Sequence, residues 1–320
     1  MNSPSPQSDP QEQVHRAREV AAALNLPAGR AAVGAASSVE ASATAAVAAA
    51  PARHYFRFGL FHRLLHGLVV TCFLGLVATG MPLRFSGAPW AARMARLLGG
   101  FEAAGYFHRV FAILLCAAFA IHVGEVAWRV LARKETGLLW GPTSMVPQPR
   151  DVVEMFQHFR WFLGQGPRPP FDRFTYWEKF DYWAVFWGMA IIGSSGFVLW
   201  FPTFFAHFFP GWFFNVAFVI HSEEALLAAL FIFSVHFFNS HFRPEKFPAD
   251  LVIFTGRVTE EEFRHERSTE YERLRAEGLL EGLRADAPPL WMRNFSRLLA
   301  FTSLGIGLVL MALIVRALVG

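Results

Sequence analysis

Five stretches of about 20 residues, each strongly apolar and nearly free of charge, dominate this chain. That length lets an α-helix cross the hydrocarbon core of a bilayer, where each backbone amide must find its partner within its own segment. The stretches fall near 61–83, 105–131, 180–201, 213–238 and 295–318. Composition agrees: 54% of the 320 residues are hydrophobic and 17% charged, more apolar than a soluble domain of this size. An all-α integral membrane protein is predicted, with a four-helix bundle followed by a fifth, C-terminal transmembrane helix. No soluble catalytic domain is left over, and nothing points to nucleic acid.

The basic residues indicate an orientation. Arg53, Arg57 and Arg63 precede or open the first span, Arg129, Arg133 and Lys134 close or follow the second, and Arg243 and Lys246 follow the fourth, whereas 201–219 holds no Lys or Arg. The positive-inside bias then puts the N-terminus in the cytoplasm; Arg84, Arg93 and Arg96 between spans one and two count the other way and are outvoted. Residues 1–52, rich in Ala, Ser, Pro and Gln, read as a disordered cytoplasmic tail with a transient helix near 11–24. The alternative of a signal peptide lacks a basic segment ahead of an apolar core. The domain expected to bind cofactor covers 53–258. Within it, the loop 132–179 carries an aromatic interfacial helix near 152–163. Residues 259–290 read as a charged cytoplasmic linker with a helix capped by Thr259, and 291–320 as the last span.

Histidine carries the chemistry. Only two cysteines occur, Cys72 and Cys116, both mid-span, and no C-x-x-C-H or iron–sulfur set exists, so a redox centre must use imidazole. His108 and His122 lie 14 residues apart on span two, and His221 and His236 lie 15 apart on span four. Each spacing is about four turns, which puts the members of a pair roughly on one face and 21 to 23 Å apart along the axis. With His66 on span one, two levels of ligands result, enough for two low-spin haem b groups, each gripped by two imidazoles from different helices. A lone intramembrane histidine more often bridges helices or lines a proton path; the recurrence on several spans favours ligation. Gly80, 14 residues after His66, shares its face one level away and is read as a close porphyrin contact. Arg63 and Arg109 are candidate partners for haem propionates. His62 is weaker as a ligand, at the membrane edge, and His241 weaker still, about 140° around the helix from His236.

These residues resemble the di-haem cytochrome b membrane subunits of formate dehydrogenases and nickel–iron hydrogenases, within the prokaryotic cytochrome b561-like family. The resemblance rests on His62-Arg63-Leu64-Leu65-His66 leading to Thr79-Gly80-Met81-Pro82, on His108-Arg109, and on His221 through His236, and covers about 55–260. The stretch from His241 through Arg243, Pro244 and Lys246 to Asp250 is also similar to cytochrome b subunits that serve periplasmic multihaem cytochromes. The family pattern implies His66 with His236 for an inner haem and His108 with His221 for an outer one. The 15-residue gap in span four and the extra His122 depart from it, leaving His122 as an alternative to His66.

The resemblance further implies an electron-transfer subunit of a quinone-linked oxidoreductase complex in the bacterial inner membrane. Its expected associates are menaquinone or ubiquinone near the inner haem, a periplasmic iron–sulfur or multihaem cytochrome subunit, and membrane lipid. Arg63, His62 and Lys179 are candidate polar partners of the quinone. The rival reading is a histidine-dependent metal or proton transporter, for which Glu125, Asp181, Glu223 and Glu224, the acids within spans one to four, would be the working groups.

Overall fold

The computed structural model describes residues 52–319; the tail expected over 1–52 lies, but for Ala52, outside them. In chain order the elements are β1 (His54–Phe56), α1 (Leu60–Arg84), α2 (Pro89–Leu97), α3 (Phe101–Leu131), α4 (Pro149–Phe162), α5 (Tyr176–Trp200), α6 (Gly211–Phe242), α7 (Val252–Thr255), β2 (Arg257–Thr259), α8 (Glu260–Glu266), α9 (Ser268–Ala276), β3 (Arg284–Ala285) and α10 (Leu290–Val319). Helices α1, α3, α5, α6 and α10 are long and apolar enough to cross a membrane. The chain is an all-α, multi-pass integral membrane protein. All five spans start before the limits that hydropathy draws, because their first turns continue as helix among aromatic and charged residues. Thr175 shows why for α5: its hydroxyl caps the Glu178 amide while the Glu178 carboxylate returns to the Thr175 amide at 2.8 Å.

Helices α1, α6 and α10 share a core of Val77, Met81, Leu226, Ala229, Phe233, Phe237, Leu310 and Ile314. The fifth span therefore belongs to the bundle. A Cβ on Gly307 would lie 2.5 Å from the Phe237 ring, while Gly305 meets nothing within 4 Å. A glycine at 307 lets α10 sit directly on the α6 phenylalanines.

At the end where the chain enters α1, the segments before α1 and after α6 build a small cap that alternation in the spans does not reveal. Strand β1 lies between β2 and β3, antiparallel to both, with Tyr55 opposite Val258 and Arg284. Tyr55 packs with Val258, Phe263, Tyr271, Leu274 and Leu280 in a second apolar cluster. Thr259 does cap a helix, its hydroxyl accepting from the Glu262 amide at 3.2 Å. That helix stops at Glu266, however, and the charged segment continues as the separate α9. Both are docked rather than solvated: Glu270, 1% exposed, pairs with Arg57 and, at 2.9 Å, with Arg173. Arg267 reaches Glu178 at 2.7 Å, and Lys246 gathers Glu262, Glu266 and Asp250. Burial works against the ammonium of Lys246, yet these three carboxylates raise its pKa above the ordinary lysine range.

Helix α4 is bound to the same end. The Asp151 carboxylate accepts from the Gln148 amide at the helix start and takes both hydrogen bonds of the buried Lys179 ammonium, at 2.7 and 2.9 Å. Val152, Val153, Phe156, Phe159 and Leu163 stay exposed along the other side, as an interfacial helix requires. His158, buried, stacks between Trp161 and Trp177 with centroids 5.3 and 5.1 Å away, its Nδ1 3.1 Å from the Tyr176 hydroxyl. Burial, reinforced by Arg168 and Arg243 over the two indoles, holds its pKa down to about 4.

Two outcomes follow. Glu270→Ala leaves Arg57 buried without its anion and is expected to cost about 3–5 kcal/mol, read as a fall in Tm of the detergent-solubilised protein. The neutral His158 contributes stability that is complete above the ordinary histidine pKa of 6.5 and is lost as pH falls towards about 4. Thermal scans across that window are expected to show a smaller acid loss in His158→Phe than in the parent protein.

Candidate functional site

Imidazoles from α3 and α6 meet between the helices at the α2 end of the bundle. The rings of His108 and His221 lie 6.2 Å apart, centroid to centroid, and nearly perpendicular at 80°. Each is held from behind by the neighbouring helix in the same way. His108 Nδ1 is 3.0 Å from the Thr79 hydroxyl of α1, and that hydroxyl gives its own proton to the Gly75 carbonyl at 2.7 Å. His221 Nδ1 is 3.0 Å from the Ile192 carbonyl of α5 and 3.4 Å from the Ser195 hydroxyl, which itself donates to the Ile191 carbonyl at 2.6 Å. A carbonyl only accepts, and a hydroxyl whose proton is committed can only accept too, so both Nδ1 atoms carry hydrogen and both Nε2 atoms carry bare lone pairs.

Glycine makes room for each ring. A Cβ on Gly80 would lie 2.9 Å from His108 Cε1, and one on Gly196 would lie 2.8 Å from His221 Cε1. Gly80, read above as a porphyrin contact, thus admits the imidazole itself. Thr79-Gly80 on α1 and Ser195-Gly196 on α5 are two copies of one device, hydroxyl plus glycine, which the sequence carries openly but which spacing between histidines does not disclose.

His62, His66, His122, His236 and His241 lie at the opposite, α4 end. His236 Nδ1 is 3.0 Å from Asp181 Oδ2, and His66 lies within electrostatic range of His236. His122 turns elsewhere: its Nε2 is 2.9 Å from the Tyr182 hydroxyl. Of the two candidates to face His236, His66 therefore keeps an uncommitted ring and His122 does not. His62 sits beside His122 and Glu125. His66 Nδ1, His122 Nδ1, Glu125 Oε2 and Asp181 Oδ1 are all buried without a hydrogen-bond partner. Unmet polar atoms of this kind cost about 1–3 kcal/mol each.

Irregular helix geometry contributes at both levels. A π turn over Met189–Gly193 contains Ile192, whose carbonyl meets His221, and two more cover Ile232–His236 and Phe238–Phe242. Such turns widen the helix so that residues five apart come near one face. His241, about 140° from His236 on a regular helix, is accordingly drawn within electrostatic range of it, buried with Nδ1 3.4 Å from the Pro248 carbonyl. No residue pattern announces a π turn in advance.

The remaining predicted residues separate. Arg63 donates from Nε to the Phe254 carbonyl at 2.7 Å and so fastens α7 to α1. Arg109 lies over the Trp200 ring, 5.9 Å from its centroid. Lys179, proposed as a quinone partner, is sealed onto Asp151 and presents nothing to a ligand. Glu223 pairs with Arg84 at 2.8 Å, and Glu224 accepts from the Trp187 indole at 3.2 Å. Between α3 and α5 an apolar groove of about 300 Å³ is lined by Val123, Val126, Val130, Leu139, Tyr182 and Phe186, beside the His122–Tyr182 pair.

The separation of the α2-end rings is of the size that two imidazoles sharing one metal ion would have. Two imidazoles on opposite sides of one ion, each nitrogen roughly 2 Å from it, bring their centroids to about 6 Å, close to the observed 6.2 Å. The backing of Nδ1 by a carbonyl or hydroxyl is the arrangement that metal-bound histidines show. Among the described residues, no three His, Cys, Asp or Glu side chains are gathered to hold a metal by themselves. Comparison with protein-family models gives no match, and no curated protein matches the chain.

Gly80→Ala and Gly196→Ala are each expected to cost about 1–3 kcal/mol by displacing a ring. Gly105→Ala, with open space at its Cβ, is the control, and Tm in detergent separates the three.

Proposed function

We propose that the protein is a di-haem b subunit that carries electrons across a membrane between a quinone pool and a separate redox partner. The observation that carries this reading is the His108–His221 pair, two imidazoles 6.2 Å apart with Nδ1 atoms locked and Nε2 lone pairs left to ligate. In this reading His108 and His221 hold one haem, and His66 and His236 the other. A haem b between two imidazoles supplies reversible one-electron exchange at its iron.

The chain's own residues do the rest. Thr79 and the Ile192 carbonyl fix tautomer and ring orientation for the first pair, and Asp181 does so for His236. Gly80 and Gly196 let the rings retreat against α1 and α5. The groove between α3 and α5, apolar and open to the side of the bundle, suits the approach of a lipid-soluble quinone from the bilayer. Its one polar neighbour, the Tyr182–His122 pair, offers a hydroxyl and an imidazole able to exchange a proton there. The distribution of basic residues supports an N-terminus in the cytoplasm, and the resemblance to formate dehydrogenase and hydrogenase cytochrome b subunits supports a bacterial inner membrane. It also supports a periplasmic iron–sulfur or multihaem cytochrome partner. The α4 end is then cytoplasmic and the α2 end periplasmic.

Haem per chain, measured as pyridine haemochromogen on protein purified from haem-supplied cells, tests the proposal. About two b-type haems are expected, with His108→Ala and His221→Ala each retaining about one, and His122→Ala retaining both. A folded preparation without haem overturns the reading.

A further inference from the structure

Three histidines of the spans, each partly buried, place Nδ1 against an acceptor, and the acceptors are unequal. His108 faces the Thr79 hydroxyl and His221 the Ile192 carbonyl, both neutral. His236 faces a carboxylate, Asp181 Oδ2, at 3.0 Å. The second oxygen of Asp181 is buried with no hydrogen-bond partner, and among the described residues its only ion-pairing partner is His236 itself. No lysine or arginine competes for the Asp181 carboxylate among the described residues, so it faces the imidazole alone.

A carboxylate draws the Nδ1 proton towards itself and makes the ring a more basic ligand than a hydroxyl or carbonyl does. A more basic ligand, with a negative charge behind it in surroundings of low dielectric, favours the more highly charged, oxidised metal. We propose that Asp181 is a positioning residue that acts through His236 to hold the centre at the α4 end at a lower reduction potential than the His108–His221 centre. With both haems bound, electrons would run downhill from the α4 end to the α2 end. The inference rests on the di-haem reading above.

Redox titration of the purified holoprotein, followed at the haem absorption bands, tests it. Two midpoints are expected in the parent protein. Asp181→Asn is expected to raise the lower one by at least a tenfold change in the ratio of reduced to oxidised haem at fixed potential, 59 mV for one electron. The higher midpoint stays in place, and Asp181→Glu, which keeps the charge, stays near the parent. If Asp181→Asn shifts neither midpoint, or shifts only the higher, the role of Asp181 is overturned while the two haems stand. Should that variant fail to retain the second haem, near-infrared magnetic circular dichroism of the oxidised parent decides. The charge-transfer band of the low-potential haem is expected to be displaced towards that of an imidazolate ligand; coincident bands for the two haems overturn the proposal. Absence of haem from the parent protein overturns the underlying function instead.

Discussion

A neutral imidazole inside a bilayer has one N–H to place, and this structure is organised around where each one goes. Water is excluded there, so the donor must reach an acceptor on its own or an adjacent helix. His108 fixes α3 to α1 through Thr79, and His221 fixes α6 to α5 through Ile192; each contact is possible only because a glycine lets the ring lie against the neighbouring helix. These bonds choose the helix pairs and, by the same act, leave Nε2 as the free nitrogen. Packing and chemistry are settled by one proton.

The cap follows from a different cost. Buried charges must be paired, and here the pairing is shared between segments far apart in sequence: Arg57 before α1, Arg173 before α5, Glu270 on α9. Lys179 and Asp151 repeat the theme between α5 and α4. Such a network gives little net stability compared with apolar packing, but it tolerates only one register of its members. It thus sets where α1, α5 and α6 begin or end at the α4 side, and with them the heights of His66, Asp181 and His236.

The spans were legible because a bilayer imposes a length and a composition, and each of the five predicted stretches matches an observed helix, the third overrunning its end by one residue. The histidine levels were legible because 14 or 15 residues on a helix fix a height. What escaped depended on contacts between segments. Strand β1 has three residues and no alternation to show, and takes its structure from partners some 200 positions away. The pairing of α8 and α9 was hidden because Glu270 and Glu266 look like surface residues until Arg57, Arg173, Arg243 and Lys246 are placed beside them. His241 was set aside by an angle valid for an α-helix, and two π turns changed that angle.

The two levels of the bundle differ in a way that bears on what each does. At the α2 end, α1 with α3 and α5 with α6 form matching halves, Thr79-Gly80 answering Ser195-Gly196 and His108 answering His221. At the α4 end the correspondence is lost: His236 has a carboxylate, His66 has no Nδ1 partner, and His122 has a tyrosine. The symmetric level presents two imidazoles held in the same way. The asymmetric level brings acid, phenol and imidazole together beside an apolar groove. Charge transfer alone asks only for well-held ligands, which symmetry provides; exchange of protons with a bound molecule asks for groups of unlike acidity at one place. The break in symmetry at Asp181 and Tyr182, adjacent on α5, therefore falls where electron movement and proton movement would have to meet.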